Sequence, residues 1–144
     1  VQCGAVPLLV QLLRDGPSPA RPYAAFALQN LSVNGAHAEA IAAQGAIGPL
    51  LELLKPLQRG GAVDCAEEVC WALGNLAYVS ALAGDIIVRG GLAVLLRCLR
   101  SPAAENAAWA LAILASHDSP AAQMALDPKM ALAPLLRAAR DAGS

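Results

Sequence analysis

Apolar residues recur along the chain at helical spacing in three segments, and an aromatic ring occupies the same position in each of them. The rings are Phe26, Trp71 and Trp109, and a leucine follows each of them two positions later. No long run alternates apolar and polar residues, which is the pattern of a half-buried strand. Alanine, the best helix former, dominates the apolar fraction. The pattern predicts an all-α fold organised around three helices, which we call the aromatic helices.

A second apolar segment, rich in leucine, precedes each aromatic helix. Three gapless copies and one partial copy of it occur, at residues 4–14, 45–55, 90–100 and 130–137. The starts of successive copies are separated by 41, 45 and 40 residues. A period of about 40 residues indicates a repeat protein, in which each repeat packs mainly on its neighbours.

Each period also contains a short third helix, which follows the aromatic helix. The predicted short helices are 36–44, about 82–89 and 120–126. A glycine, Gly45 or Gly90, then turns the chain into the next repeat, and Pro128 takes that place in the last one. The chain is therefore predicted to be one unit, 1–144, with approximate repeats at 4–44, 45–89 and 90–129 and a partial repeat at 130–144.

The order of Leu-rich, aromatic and short helices resembles the armadillo repeat. The resemblance rests on segments such as GAIGPLLELL at 45–54, followed by VCWALGNLA at 69–77, and it covers essentially the whole chain. It implies a right-handed armadillo-repeat superhelical solenoid of three-helix repeats, with a role in protein–protein interaction. A HEAT-type solenoid is the alternative, but that repeat lacks the separate short helix and the glycine turn.

On a helical wheel, the aromatic residues lie opposite the predicted core stripe. With Leu73 at the centre of that stripe, Trp71 lies about 160° and Asn75 about 200° away. The equivalent pairs in the other aromatic helices are Phe26 with Asn30 and Trp109 with Ile113. A row of exposed rings at one repeat position would form an apolar binding surface. Alternatively, the rings only pack on one another or on neighbouring helices.

The resemblance adds an expectation about the ligand. In importin-α-like armadillo proteins the third helices of the repeats, which correspond to the aromatic helices here, line a concave groove. In that groove a Trp and an Asn four residues later hold an extended peptide. Only Trp71 and Asn75 match that pair fully here. The candidate peptide-binding residues are Phe26, Asn30, Glu67, Glu68, Trp71, Asn75, Trp109 and Ile113. Candidates for the periphery of the groove are Tyr23, Asp64, Tyr78 and Glu105.

Several of these candidates are carboxylates on or beside the aromatic face of their helix. They are Asp64, Glu67, Glu68 and Glu105. A Lys or Arg side chain stacked on a tryptophan beside a carboxylate would gain cation–π and Coulomb energy. This favours a Lys/Arg-rich peptide as the ligand. The alternative is that the carboxylates only stabilise the positive amino ends of the helices.

Composition and motifs argue against other classes of function. The net charge is −1 and no basic stripe is visible, so nucleic acid is not an expected partner. Asn75, Gly84 and Asp85 interrupt the most apolar region, so no membrane span is predicted. His37 and His117 have no partner at metal-ligand spacing. No catalytic motif occurs either, so we predict a protein that is not an enzyme and needs no cofactor or metal.

Cysteine usage and the chain ends bear on localisation and assembly. The four cysteines form no CxxC pair and no disulfide framework; they are Cys3, Cys65, Cys70 and Cys98. Reduced thiols are expected in a cytoplasmic or nuclear protein. The chain begins without an initiator methionine, so we expect a fragment of a longer protein. Solenoid ends need capping repeats, and self-association through uncapped ends is a further expectation.

The sequence thus predicts a non-catalytic scaffold that binds an extended segment of a protein partner. Three alternatives remain open at this point. The chain is the substrate-recruiting part of a U-box-like ubiquitin ligase, in which similar repeats occur. It is a nuclear-import-adaptor-like binder of basic peptides. Or it is a purely architectural segment, whose stacking on neighbouring repeats is its whole role.

Overall fold

The helical periodicity of the sequence is realised throughout the computed structural model, which describes residues 4–61 and 63–117. Within those ranges the regular structure is entirely helical. The α-helices are α1 Ala5–Asp15, α2 Arg21–Leu31, α3 Gly35–Ala43, α4 Ile47–Leu54, α5 Ala66–Ala77, α6 Ser80–Val88, α7 Gly91–Cys98 and α8 Ala104–Ser116. Two short 3₁₀-helices precede the first two aromatic helices, at Ser18–Ala20 and Lys55–Arg59.

The predicted three-helix period is confirmed for the described residues. The Leu-rich helices are α1, α4 and α7, the aromatic helices are α2, α5 and α8, and the short helices are α3 and α6. The predicted helix at 120–126 and the partial repeat at 130–144 lie outside the described residues. The division of the chain into repeats at 4–44, 45–89 and 90–129 stays a prediction.

Local chemistry explains where several helices begin and end. The side chain of Asn34 caps α3, accepting a hydrogen bond from the backbone N–H of Ala36 at 2.9 Å. Glu67 and Glu68 lie in the first turn of α5, where a carboxylate stabilises the helix by its attraction to the positive end of the helix dipole. Arg14 lies in the last turn of α1, at the negative end.

Glycine makes the turn from each of the two described short helices, α3 and α6, into the next Leu-rich helix. Gly45 and Gly90 have φ angles of 79° and 85°, in the left-handed region that other residues rarely adopt. The backbone N–H of Gly45 donates to the carbonyl of Ala42, and that of Gly90 to the carbonyl of Ile87. The predicted glycine turns are therefore confirmed, and they let the next helix start within two residues.

The core lies between each aromatic helix and the Leu-rich helix of the same repeat. Leu28, Leu73 and Leu111 occupy the same repeat position, and all three are buried. The residues predicted to flank Leu73 in the core stripe are also buried, namely Ala66, Val69, Cys70, Leu76 and Ala77. Burial of one leucine contributes about 1.5–3 kcal/mol. The stripe therefore holds α2 on α1, α5 on α4 and α8 on α7.

The three aromatic helices run parallel, with α5 between α2 and α8. Near the amino ends, the amide nitrogen of Asn106 in α8 donates to the carbonyl of Glu67 in α5 at 3.2 Å. Near the carboxyl ends, the amide nitrogen of Asn75 in α5 donates to the carbonyl of Gln29 in α2 at 3.4 Å. Like ends therefore meet, and the amino ends of all three helices form one edge of the molecule.

The close approach of α5 and α8 depends on the missing side chain of Gly74. A Cβ atom at position 74 would lie 2.2 Å from Cζ3 and 2.6 Å from Cε3 of Trp109. The ring of Trp109 thus lies against the backbone of α5. It also contacts Tyr78, with ring centroids 5.9 Å apart and planes tilted by 57°. This contact fixes Trp109 as a packing residue between two repeats.

We expect Gly74→Ala to lower the free energy of unfolding, although alanine is the better helix former by about 1 kcal/mol. The added Cβ would displace the Trp109 ring, and overpacking of this kind costs about 1–3 kcal/mol. Urea denaturation followed by circular dichroism measures the change. Gly84→Ala in α6 is the matched control, because an added Cβ there meets no atom within 4 Å.

The control should raise stability by about 0.5–1 kcal/mol, the usual gain when alanine replaces glycine inside a helix. If both alanine variants are stabilised to the same extent, the close contact between Gly74 and Trp109 is contradicted.

Candidate functional site

Helix α2 presents two rings and one amide to solvent along one side. Tyr23, Phe26 and Asn30 are all exposed, and Phe26 retains 52 % of its accessible surface. Their spacings of three and four positions place them on one face of a helix. Leu28 is buried on the other side. The exposed positions predicted for Phe26 and Asn30 are confirmed.

Helix α5 continues this exposed row. Trp71 is 45 % exposed, although it is a large ring in the middle of a helix that is otherwise mostly buried. Tyr78 follows seven positions later, on the same side, and is also exposed. We call the exposed rings of α2, of α5 and of the residue that caps the carboxyl end of α5 the aromatic face, which comprises Tyr23, Phe26, Trp71 and Tyr78. Because α2 and α5 are parallel neighbours, these rings lie on adjacent helices.

Asn75 is buried, and its predicted position opposite the core is wrong. Only 8 % of the residue is exposed. Its amide nitrogen donates to Oγ of Ser32 at 3.0 Å and to the carbonyl of Gln29 at 3.4 Å. The Ser32 hydroxyl in turn donates to the same Gln29 carbonyl at 2.7 Å. A helical wheel treats α5 alone, whereas α2 covers this flank, so the amide joins two repeats instead of facing a groove.

Removal of the Asn75 amide should therefore act on stability. We expect Asn75→Ala to lower the free energy of unfolding by about 1–3 kcal/mol, because buried hydrogen-bond partners are left unsatisfied. Asn30→Ala is the matched control and should change stability by less than about 0.5 kcal/mol, since its side chain is exposed. Guanidinium denaturation measures both variants. Equal effects of the two substitutions would contradict the role of Asn75 as a buried tie.

The third aromatic helix contributes less surface than predicted. Trp109 is half-buried because its ring lies over Gly74, and Ile113 is half-buried because it packs against the core. Both were placed on the open face by the helical wheel, which does not account for the contact of α8 with α5. Glu105 is exposed in the first turn of α8. Two rings of the predicted ladder, Phe26 and Trp71, are thus well exposed.

Sequence reasoning missed Gly74 and Asn106, which set the distance between α5 and α8. The signal for Asn106 is a polar amide in the first turn of an alanine-rich helix. The signal for Gly74 is a helix-weakening residue in the middle of a strong helical pattern. His117, at the carboxyl end of α8, uses Nε2 to contact the carbonyl of Ala77 in α5. It therefore occupies a helix end, as predicted.

Carboxylates gather at the amino edge of α5 and α8. Asp64, Glu67 and Glu105 are exposed, whereas Glu68 is partly buried. Oε2 of Glu68 is buried and has no hydrogen-bond partner among the described residues. The ion pairs of the described ranges lie elsewhere, at Arg14–Asp15, Glu52–Lys55 and Asp85–Arg89. These four carboxylates therefore leave negative charge at the edge of the aromatic face.

The described cysteines are buried free thiols in the core; they are Cys65, Cys70 and Cys98. Burial raises the pKa of Cys65. The hydrogen bond to Cys98, together with burial, raises the pKa of Cys70. A protonated, buried thiol, as at Cys65 and Cys70, is a poor nucleophile and a poor metal ligand. Residues 4–61 and 63–117 hold no cluster of three or more metal-ligating side chains.

No helix in those ranges combines the length and apolarity needed to cross a membrane.

Comparison with protein families identifies a repeat in the middle of the chain. Residues 36–78 match the family described as the armadillo/beta-catenin-like repeat. The matched stretch contains most of α3 and all of α4 and α5, which are a short, a Leu-rich and an aromatic helix in that order. The resemblance inferred from the sequence is thereby confirmed. A search of curated proteins found no matching sequence.

Comparison with solved structures supports the same architecture. An engineered protein, solved by crystallography within a structural genomics consortium, aligns with a TM-score of 0.72 and 25 % sequence identity. The alignment covers 95 % of this chain and 52 % of the engineered protein, so the chain spans about half the length of that protein. The described part of the chain has the fold of an α-solenoid, and residues 36–78 within it match the armadillo/beta-catenin-like repeat.

Proposed function

We propose that this α-solenoid, in which residues 36–78 are an armadillo repeat, binds an extended segment of a partner protein across its aromatic face. Armadillo repeats generally mediate protein–protein interaction and point to a non-catalytic role. The observation that carries the proposal is the exposure of Phe26 and Trp71 on adjacent parallel helices. Helix α2 packs on α1 and α5, and α5 packs on α2 and α8, so both rings are presented from well-packed helices.

Removing an exposed aromatic ring from water is favourable, so a partner that covers it gains binding free energy. A large aromatic side chain buries about 150–250 Å² when fully enclosed, and about 25 cal/mol is gained per Å² of apolar surface. Covering the exposed halves of Phe26 and Trp71 therefore supplies a few kcal/mol. Tryptophan is enriched among residues that dominate binding energy. Trp71 is accordingly the main anchor of the proposed interface.

Backbone recognition would fall to Asn30. Its exposed amide can donate to and accept from a peptide bond at once. Asn75 is excluded from this role, because its amide nitrogen already donates to Ser32 and Gln29. One backbone contact and two aromatic contacts define a short binding site across two repeats.

The charge at the amino edge favours Lys/Arg-rich segments as the partner. Asp64, Glu67 and Glu105 are exposed and form no ion pair with any residue that the structure describes. Glu67 lies one helical turn before Trp71, so a cation stacked on that ring reaches the carboxylate. Exposed ion pairs weaken as salt rises. The buried free thiols support a reducing compartment, the cytoplasm or the nucleus.

A peptide array tests the proposal. At low salt, we expect Lys/Arg-rich peptides to bind, and Trp71→Ala to weaken that binding by about 10- to 30-fold, because a central tryptophan often contributes about 2 kcal/mol. Fluorescence polarisation of labelled peptides measures the affinity. The measurement is repeated at about 0.5 M salt, where the screening length is well below the ~8 Å of physiological salt and exposed ion pairs should contribute less. Val88→Ala, an exposed apolar residue of α6, is the matched control.

Absence of binding to every peptide of the array at low salt would overturn the proposal. Equal affinities of the parent chain and Trp71→Ala would also contradict it. Binding that survives Trp71→Ala but is lost when the ends of the solenoid are altered favours the purely architectural alternative. A catalytic module in the same polypeptide would favour the substrate-recruiting part of a ubiquitin ligase.

Self-association through helix α1 is supported by the apolar surface that this helix exposes. Helix α1 presents Leu8, which is largely exposed, beside the partly buried Leu12. These residues line a shallow cavity of about 240 Å³ together with Gln11, Asp15 and Gly16. A second copy of the chain would cover this apolar surface.

Light scattering at increasing concentration tests the self-association. The expected result is a rise in average mass that Leu8→Asp abolishes, because a carboxylate in an apolar contact is costly to desolvate. Val88→Asp is the control for a charge added to exposed apolar surface elsewhere. A constant monomer mass for the parent chain at high concentration would contradict the proposal.

A further inference from the structure

A cavity of about 370 Å³ opens at the amino edge, between the first turn of α5 and the turn that joins α7 to α8. We call it the edge cavity. Its apolar lining includes Leu57, Val63, Ala66 and Pro102, and its carboxylates are Asp64 and Glu67. The volume falls in the range of about 300–1,000 Å³ that is typical of ligand pockets. None of the roles assigned above accounts for this cavity.

Both walls of the edge cavity are held by local hydrogen bonds. On one side, the backbone N–H of Gly61 donates to the carbonyl of Pro56 at 2.9 Å. A Cβ atom at Gly61 would come within 2.9 Å of the same oxygen, so this turn requires glycine. On the other side, the Ser101 hydroxyl donates to the Cys98 carbonyl at 2.7 Å and accepts from the backbone N–H of Ala103 at 3.1 Å.

The cavity arises where the repeat departs from its regular length. The middle period has 45 residues, compared with 41 and 40 for its neighbours, and the extra residues fall in the connection between α4 and α5. Leu57 and Gly61, which belong to that connection, line the cavity. The longer connection thus builds one wall of a pocket, in addition to joining two helices.

The lining suits a side chain with an aliphatic stem and a cationic head. The apolar walls can cover methylene groups, while the exposed carboxylates of Asp64 and Glu67 lie at the same opening. Arg100 also lines the cavity, so the charges of the lining sum to −1. An anionic head group would meet two carboxylates, which disfavours it.

We propose that the edge cavity receives a lysine or arginine side chain from the partner segment that crosses the aromatic face. This inference rests on the proposed function and adds a specific position for one basic residue of the ligand. Glu67 and Trp71 are four residues apart and therefore neighbours on α5. A segment lying on Trp71 is thus adjacent to the opening of the cavity.

Free amino-acid probes test the cavity without a peptide. We expect Nα-acetyl-lysine methylamide, titrated into ¹⁵N-labelled protein, to shift the backbone amide resonances of residues 63–67, Ser101 and Ala103. Nα-acetyl-norleucine methylamide has the same stem without the charge and should bind at least about threefold more weakly, the size expected for an exposed ion pair. Asp64→Asn and Glu67→Gln should each weaken the lysine probe about threefold, and together about tenfold.

Glu39→Gln is the matched control, because Glu39 is an exposed carboxylate of α3 outside the cavity lining. It should leave the affinity of the lysine probe unchanged. Equal binding of the lysine and norleucine probes would overturn the inference. So would resonance shifts confined to Trp71 and Tyr78, or an effect of Glu39→Gln as large as that of Asp64→Asn.

The two proposals can fail separately. If peptides bind through Trp71 but the cavity variants leave both peptide and probe affinities unchanged, the inference is wrong and the proposed function stands. If the lysine probe occupies the cavity as expected while no peptide binds, the aromatic face loses its proposed role. The lysine site would then remain as a property of the cavity alone.

Discussion

The parallel packing of the aromatic helices, with α5 in contact on both flanks, is the constraint on which the rest of the structure depends. On the α8 side, the ring of Trp109 lies against Gly74. On the α2 side, the amide of Asn75 joins Ser32 and the Gln29 carbonyl. Two contacts of different kinds, one apolar and one polar, thus fix the spacing of three repeats. Only a narrow strip of α5, including Trp71, remains exposed.

This packing connects stability with the proposed binding role, because one helix carries both the buried stripe and part of the aromatic face. The buried stripe around Leu73 holds α5 on α4, and the opposite side carries the aromatic face. Since like ends of the helices meet, their first-turn carboxylates gather at one edge, beside Trp71 and the edge cavity. A partner segment crossing the helices would therefore meet rings in the middle and negative charge along one side. The solenoid supplies this arrangement by repetition, without a dedicated binding loop.

Much of the fold and part of the site could be predicted from particular residues. The helical period around Leu28 and Leu73 located the core, and Gly45 marked a turn that the structure makes at positive φ. Phe26 and Trp71 were correctly placed in solvent. Asn75 was not, because whether a flank of α5 is exposed depends on α2, which lies more than 40 residues away in sequence. The edge cavity could not be predicted from the sequence either, because its walls come from two turns that are distant in sequence.

The sequence by itself determined the helices, their order and the buried stripe, because helix formation and its termination depend on residues within a few positions of one another. The tertiary structure alone decided which outward-pointing residues remain exposed. Trp71 and Trp109 occupy the same repeat position, yet only Trp109 finds a glycine opposite it and is covered. Asn30 and Asn75 are equivalent in sequence, yet only Asn75 faces a neighbouring helix end with an acceptor. Whether a side chain is exposed depends on its neighbours in space, so it cannot be deduced from the sequence of a single helix.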